Sequence, residues 1–255
     1  MDAVNQTLYI PLYGKALVSE KGIILRDPKA QEIWAAEGFP LKGKSKSKWL
    51  AYYMGIRSAV FDRWTQTQME ADPTAVVLHL GCGLDSRCHR VGTQGHLWFD
   101  VDFSAVMAER KRHYQETEAY HMIAADVTAA GWLDAVPGGT AIVILEGVSM
   151  YLSPDALKGT LEGLYKHFDR VHLLMDCYTT FAAKASKYRN PINDVGVTQV
   201  YGMDDPTCLE GFYREHHMTP ADLIDQLQGL ERKIFKTLYA GGVAKKMYRL
   251  YEYRR

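Results

Sequence analysis

The sequence predicts an α/β fold: a seven-stranded, mostly parallel sheet with an N-terminal helical layer and a lid inserted ahead of the last elements. Three observations lead there. From Ala75 onward short apolar runs alternate with segments able to form helices, the texture of parallel βαβ units. Residues 1–72 carry helical periodicity instead. And residues 76–87, VVLHLGCGLDSR, set a buried-strand pattern directly against Gly81 and Gly83, where packing alone favours larger side chains. At 255 residues the chain fits one domain, 1–255.

The helical layer, 1–72, is justified by two stretches. In LRDPKAQEIWAA, Asp27-Pro28 makes a cap-like start, and SKWLAYYMGIRSAVFDRWTQT places Leu50, Met54, Val60, Phe61 and Trp64 close to one helical stripe. The strand candidates are AVVLHL, HLWFDVD, HMIAAD, AIVILEG and RVHLLMD, with intervening helices starting near Asp85, Ser104, Trp132 and Ser153. Ser153-Pro154 supplies an N-cap and a proline at the first helical position. Thr219-Pro220 opens a further helix to about Leu227. ERKIFKTLYA and AKKMYRLYEYRR then read as two antiparallel strands joined at Gly241-Gly242, completing the sheet. Residues 178–217 lack firm periodicity, and a connection that long reads as a substrate lid; its aromatics Tyr188, Tyr201, Phe212 and Tyr213 are expected to face a substrate.

Composition removes several classes. Thirty basic against 30 acidic residues give no electrostatic footprint for nucleic acid, and Lys42, Lys44, Lys46 and Lys48 read as a solvated loop. Cys82, Cys88, Cys177 and Cys208 show no CxxC or zinc-ligand spacing, so reduced thiols and no metal are expected. Without a signal-like start or an 18-residue apolar run, the expectation is a cytoplasmic protein with no membrane partner.

In an open parallel sheet, ligands bind beyond the carboxyl ends of the strands where strand order reverses. Gly81 permits the sharp turn there and Gly83 lets the backbone approach a ligand. Asp100 and Asp102 follow Gly83 by 17 and 19 residues, at the end of the next strand, where an acid meets a ribose diol. The motif GCGLDS lacks the third small residue of dinucleotide sites. S-adenosylmethionine has a ribose and no pyrophosphate, which fits. Asp126-Val127 at the third strand tip would accept from an adenine amino group, and Glu146 at the fourth would hold an ammonium. Singly, each acid reads equally as a helix cap; their agreement at successive strand tips points to one ligand. The rival readings are a nicotinamide-dependent oxidoreductase, which wants the third glycine and a YxxxK-like relay, and a noncatalytic S-adenosylmethionine-binding module.

LGCGLDSR, WFDVDF, AADV and LEGVSMYL, in this order, resemble the leucine carboxyl methyltransferase family, whose members transfer a methyl group from S-adenosylmethionine. TLYIPLYGKA and ILRDPKAQEIW resemble its bacterial branch, similar to the O-methyltransferases of tetracenomycin-type polyketide synthesis. The resemblance implies the class I, Rossmann-like methyltransferase fold. It implies that Arg57 pairs with the cofactor's methionine carboxylate and that Gly81, Asp102, Asp126 with Val127, and Glu146 make the remaining cofactor contacts, with Asp100 where the family often carries another acid. Tyr151, five residues past Glu146, is expected to border the methyl group, and Lys15 to line the pocket. The expected activity is methylation of a carboxylate or hydroxyl on a small, polyketide-like molecule. A carboxylate, with a pKa of about 4, needs no general base at neutral pH, whereas a phenol, at about 10, gains from one; His121, His216 and His217 are the candidates.

Overall fold

The computed structural model describes residues 7–37, 41, 43–189 and 199–255. Among the described residues three α-helices come first: α1 (Tyr9–Glu20), α2 (Pro28–Glu37) and the long α3 (Lys48–Ala71). Then β1 (Val76–Leu80), α4 (Arg87–Val91), β2 (Trp98–Asp102), α5 (Ser104–Arg110), β3 (Tyr120–Ala124), β4 (Thr140–Leu145), α6 (Pro154–His167) and β5 (Arg170–Tyr178) alternate. The helix expected near Trp132 is a single 3₁₀ turn, Trp132–Ala135. After β5 come α7 (Thr180–Arg189), β6 (Phe212–Glu215), α8 (Ala221–Ile224), α9 (Gly229–Leu238), α10 (Gly242–Lys245) and β7 (Tyr248–Arg254). The sheet has seven strands in the order β3-β2-β1-β4-β5-β7-β6. β1 to β5 pair in parallel, and β7 runs antiparallel to both β5 and β6.

β1, β2 and β4 are buried at every position, as a sheet covered on both faces requires. Side chains alternate between the faces. Val77, Ile142, Ile144 and Leu174 join the core made with Leu12, Ile33, Ile56 and Phe61 of α1–α3. Leu78, Val143, Leu145 and Leu173 join the opposite core with Leu157, Leu161 and Leu164 of α6. The same period puts His79, Asp100, Asp102, Glu146 and Asp176 on the face turned toward α1–α3. Strand order reverses between β1 and β4, and the carboxylates gather around that point. At α6 the Ser153 hydroxyl accepts from the Ala156 N–H at 3.2 Å with Pro154 at the first position, as expected.

Two expectations are corrected. Residues 231–238 belong to α9 rather than to a strand; Leu230, Ile234 and Leu238 recur every four residues and Phe235 is completely buried, a helical arrangement. The sheet is completed instead by β6, which lies inside the expected lid. Of that segment, 178–217, residues 190–198 and the Tyr188 side chain lie outside the described residues, while Phe212 and Tyr213 sit on β6 at the sheet edge.

Candidate active site

A cavity of about 610 Å³ opens over the carboxyl ends of the strands. Its floor begins at the glycine turn. Gly81 has φ +65°, and a Cβ there would stand 2.4 Å from the Val148 Cγ2, so a side chain is excluded by both backbone and space. The Gly83 N–H donates to Asp102 Oδ2 at 2.8 Å, and the Phe103 N–H donates to Asp102 Oδ1 at 2.8 Å. These bonds aim the carboxylate at the cavity while leaving each oxygen a further lone pair. Burial pushes the Asp102 carboxyl above its ordinary value, against the two N–H donors and Arg110. Asp126 and Val127 line the same end; Asp126 Oδ1 accepts from the Thr128 N–H at 2.9 Å and its hydroxyl at 2.7 Å, leaving Oδ2 unpartnered among the described residues.

Across the cavity, Glu146 sits just past β4. It accepts from Arg57 Nε at 2.9 Å, from the Ser58 hydroxyl at 3.0 Å and from Arg87. Burial alone would raise the Glu146 carboxyl, but the Arg87 and Arg57 guanidiniums outweigh it and hold it at about 2. Arg57 Nη1 reaches Asp176 Oδ2 at 3.2 Å and the Tyr248 hydroxyl at 3.1 Å. The bare Gly147 leaves space for that guanidinium, since a Cβ would lie 3.3 Å from it. Asp85, beyond the glycine turn, pairs with Lys15 at 2.9 Å and Arg90 at 2.8 Å; Arg90 also engages Asp27 at 2.6 Å and Asp62 at 2.8 Å. These buried pairs tie the helical layer to the glycine turn and α4, and each is costly to break from one side only.

Lys15, Arg57, Gly81, Gly83, Asp102, Asp126, Val127, Glu146 and Tyr151 thus line one cavity. Lys15 enters it from the glycine-turn side, through Asp85. Asp100 does not line it. Two residues back along β2, it lies about 6.6 Å deeper than Asp102. There it is fully buried, accepting from Trp98 Nε1 at 2.9 Å, from the Tyr120 hydroxyl at 2.7 Å and from Arg110. Arg110 in turn donates to the Gly83 carbonyl at 3.0 Å, so Asp100 supports the glycine turn from beneath. Tyr201 and Tyr213 are also outside the cavity: the Tyr201 hydroxyl accepts from Gln199 Nε2, and Tyr213 packs against Tyr251 and Tyr253 at ring distances of 6.3 Å. His121 stacks on Phe99 at 5.0 Å, away from the cavity.

The cavity is also lined by Tyr53 and Met54 of α3, Met150 and Tyr151 after β4, Tyr178 at the end of β5, and Tyr248. Tyr53 and Tyr178 pack edge-on against Tyr248, at 5.9 and 5.2 Å. Burial pushes the phenols of Tyr53, Tyr151 and Tyr248 up, so all stay neutral. Tyr53, Tyr178, Tyr248 and Asp176 escaped the sequence reading. Asp176 carried a usable signal, an acid near the tip of an apolar strand like Asp102.

The leucine carboxyl methyltransferase family model matches residues 3–165. The chain belongs to the leucine carboxyl methyltransferase family. Tetracenomycin polyketide synthesis O-methyltransferase of Streptomyces glaucescens is 30% identical over 213 residues, covering 82% of this chain and 79% of that protein. An S-adenosyl-L-methionine-dependent methyltransferase of Gibberella zeae is 25% identical over 234 residues, covering 82% and 78%. Among solved structures, a DUF574 family protein from Streptomyces avermitilis aligns with a TM-score of 0.57 at 11% identity, covering 89% of each chain. Magnesium protoporphyrin IX methyltransferase from Synechocystis, solved with bound SAH, aligns at 0.50 with 13% identity, covering 89% of this chain and 93% of its own. These likenesses establish the class I methyltransferase fold for this member of the family. Among the described residues no helix is long and apolar enough to cross a membrane.

Proposed function

We propose that the protein methylates an oxygen of a small, largely apolar acceptor, drawing the methyl group from S-adenosylmethionine. One observation carries this: strand-tip carboxylates and neutral tyrosines line the same cavity. The polar end fits the cofactor. Asp102 has open lone pairs for a ribose diol, Asp126 Oδ2 is free for an amino group, and Lys15, Arg57 and Glu146 suit the carboxylate and ammonium of a methionine tail. When bound, the cofactor supplies an electrophilic methyl on a sulfonium, whose transfer needs little acid–base help.

The chain's own task is then alignment and exclusion of water. Arg57 is held by Glu146 and Asp176 before any ligand arrives, so its guanidinium is oriented in advance. Tyr151, the last residue of the 3₁₀ turn Ser149–Tyr151 between Glu146 and α6, lines the cavity. Asp176, the carboxylate nearest the tyrosine wall, is engaged by Arg57, Tyr248 and the Gly147 N–H at 2.7 Å, so it is poorly placed to act as a base. That favours an acceptor already ionised at neutral pH, a carboxylate above a phenol. Incubating the protein with methyl-labelled S-adenosylmethionine and a metabolite extract, followed by mass spectrometry, tests this. Label in a methyl ester or ether is expected; label on nitrogen or carbon alone, or none in any product, contradicts it.

A further inference from the structure

Glu37 closes α2, Glu109 lies in the last turn of α5, and His113 follows in the turn after α5, one helical turn past Glu109. The three side chains converge, with one donor atom from each lying within 4.8 Å of the others. His113 is the informative member. Its side chain is only 9% exposed, and its Nε2 is buried with no hydrogen bond among the described residues. That nitrogen nevertheless stands 3.3 Å from Glu37 Oε1 and 3.6 Å from Glu109 Oε1. An imidazole bonded directly to a carboxylate comes closer, as His216 does to Glu252 at 2.6 Å. The wider spacing suits neighbouring ligands around one small ion, because tetrahedral bonds of about 2.0–2.1 Å hold their donor atoms about 3.3–3.4 Å apart.

We propose that Glu37, Glu109 and His113 form a binding site for a divalent transition-metal ion, zinc by the chemistry of its donors, which fastens α2 to α5. Calcium and magnesium favour all-oxygen surroundings, whereas an imidazole with two carboxylates suits zinc. Both glutamates sit at the carboxyl ends of helices, where the backbone dipoles favour positive charge. Arg112 supplies that charge when no ion is bound: it pairs with Glu37 Oε1 at 2.9 Å and with Glu109 Oε1 at 2.8 Å, the same two oxygens that face His113. Its side chain is 58% exposed, so this is a surface pairing that an ion can displace, with the guanidinium turning into water. Water then takes the fourth ligand position. None of the three residues lines the main cavity, so the ion's part is structural, holding α2 against the helix whose Val106 does line it. The site departs from the expectation of no metal, which rested on cysteine spacing and not on ligands drawn from separate elements. It stands whether or not the cofactor reading does.

The test uses protein stripped with a chelator, titrated with zinc chloride against a chromophoric chelator and, separately, with cobalt chloride followed by visible absorption. One zinc ion per chain is expected, and the bound cobalt should show no thiolate charge-transfer band. His113→Ala and Glu37→Gln should each weaken zinc binding by about 100-fold or more, since even the partners of metal ligands are worth about 10- to 100-fold. Arg112→Gln should tighten it severalfold by removing the competing cation. Zinc should raise the thermal midpoint of the unaltered protein and leave the midpoints of His113→Ala and Glu37→Gln where they start, a comparison made within each variant whatever its own stability. Absence of zinc binding, a cobalt–thiolate band, a midpoint that zinc does not raise, undiminished affinity in either ligand variant, or an Arg112→Gln protein that binds no more tightly overturns the proposal.

Discussion

At the scale of single residues, Asp102 is the sharpest test of the cofactor end. Its oxygens are held by backbone donors from Gly83 and Phe103, so Asp102→Asn keeps the shape but puts an NH₂ against one of those N–H groups and removes the anion facing the cavity. S-adenosylmethionine affinity is expected to fall about 10- to 100-fold, the worth of hydrogen bonds to a charged group. Calorimetric titration reads it, and unchanged affinity removes Asp102 from the site. Residues of this kind were legible in the sequence because a strand tip fixes both depth and direction. Asp100 illustrates the limit: it has the right residue type and the right face, but lies a step below the tip, where Arg110 claims it. The buried pairs of Arg87 and Arg90 were less legible: the quoted LDSR shows Asp85 beside Arg87 without showing that Arg87 turns inward to Glu146 and Asp62, or that Arg90, three residues on, pairs with Asp85 and Asp62.

At the scale of elements, β1, β2 and β4 were legible because strands buried on both faces appear as apolar runs, and the buried middle of β5 reads the same way. The last elements were not. β6 is four exposed residues whose pairing with β7 alone makes them a strand, a tertiary effect with no local signature. In α9, the adjacent Ile234 and Phe235 between lysines imitate a strand, and the four-residue spacing decides otherwise. The helix is anchored by Phe235, while Leu230 and Leu238 are 70% and 63% exposed. Phe235→Ala is expected to cost about 3–5 kcal/mol. Leu230→Ala should cost no more than about 0.5 kcal/mol. Denaturant unfolding measures both, and similar losses would place α9 differently from the packing described.

At the scale of the whole molecule, the ionic lattice between α1–α3 and the sheet makes stability depend on acid. Glu146 and Asp100 are each held at about 2, against burial, by Arg87 with Arg57 and by Arg110, and Asp85 is also lowered by Arg90 and Lys15 against burial. A folded-state value below the unfolded one means the unfolded chain binds more protons between the two, so this stability is full above about pH 5 and drains as pH falls toward 2. Asp102 and Asp176, raised by burial, act in the opposite sense and moderate the slope. Thermal unfolding followed from pH 7 to pH 3 should show a falling midpoint, and Glu146→Gln should flatten the fall while costing about 3–5 kcal/mol at pH 7. A midpoint independent of pH would mean the lattice is not buried as described. The lattice matters because it fixes the cap over the sheet, and with it the cavity in which family membership, strand-tip acids and tyrosine wall meet. A crystal structure with S-adenosylhomocysteine bound tests that convergence most directly. The account expects the ribose hydroxyls on Asp102, the adenine beside Asp126 and Val127, and the sulfur facing Tyr151 and the tyrosine wall; a nucleoside bound elsewhere, or seated with Asp102 and Glu146 both out of contact, would contradict it.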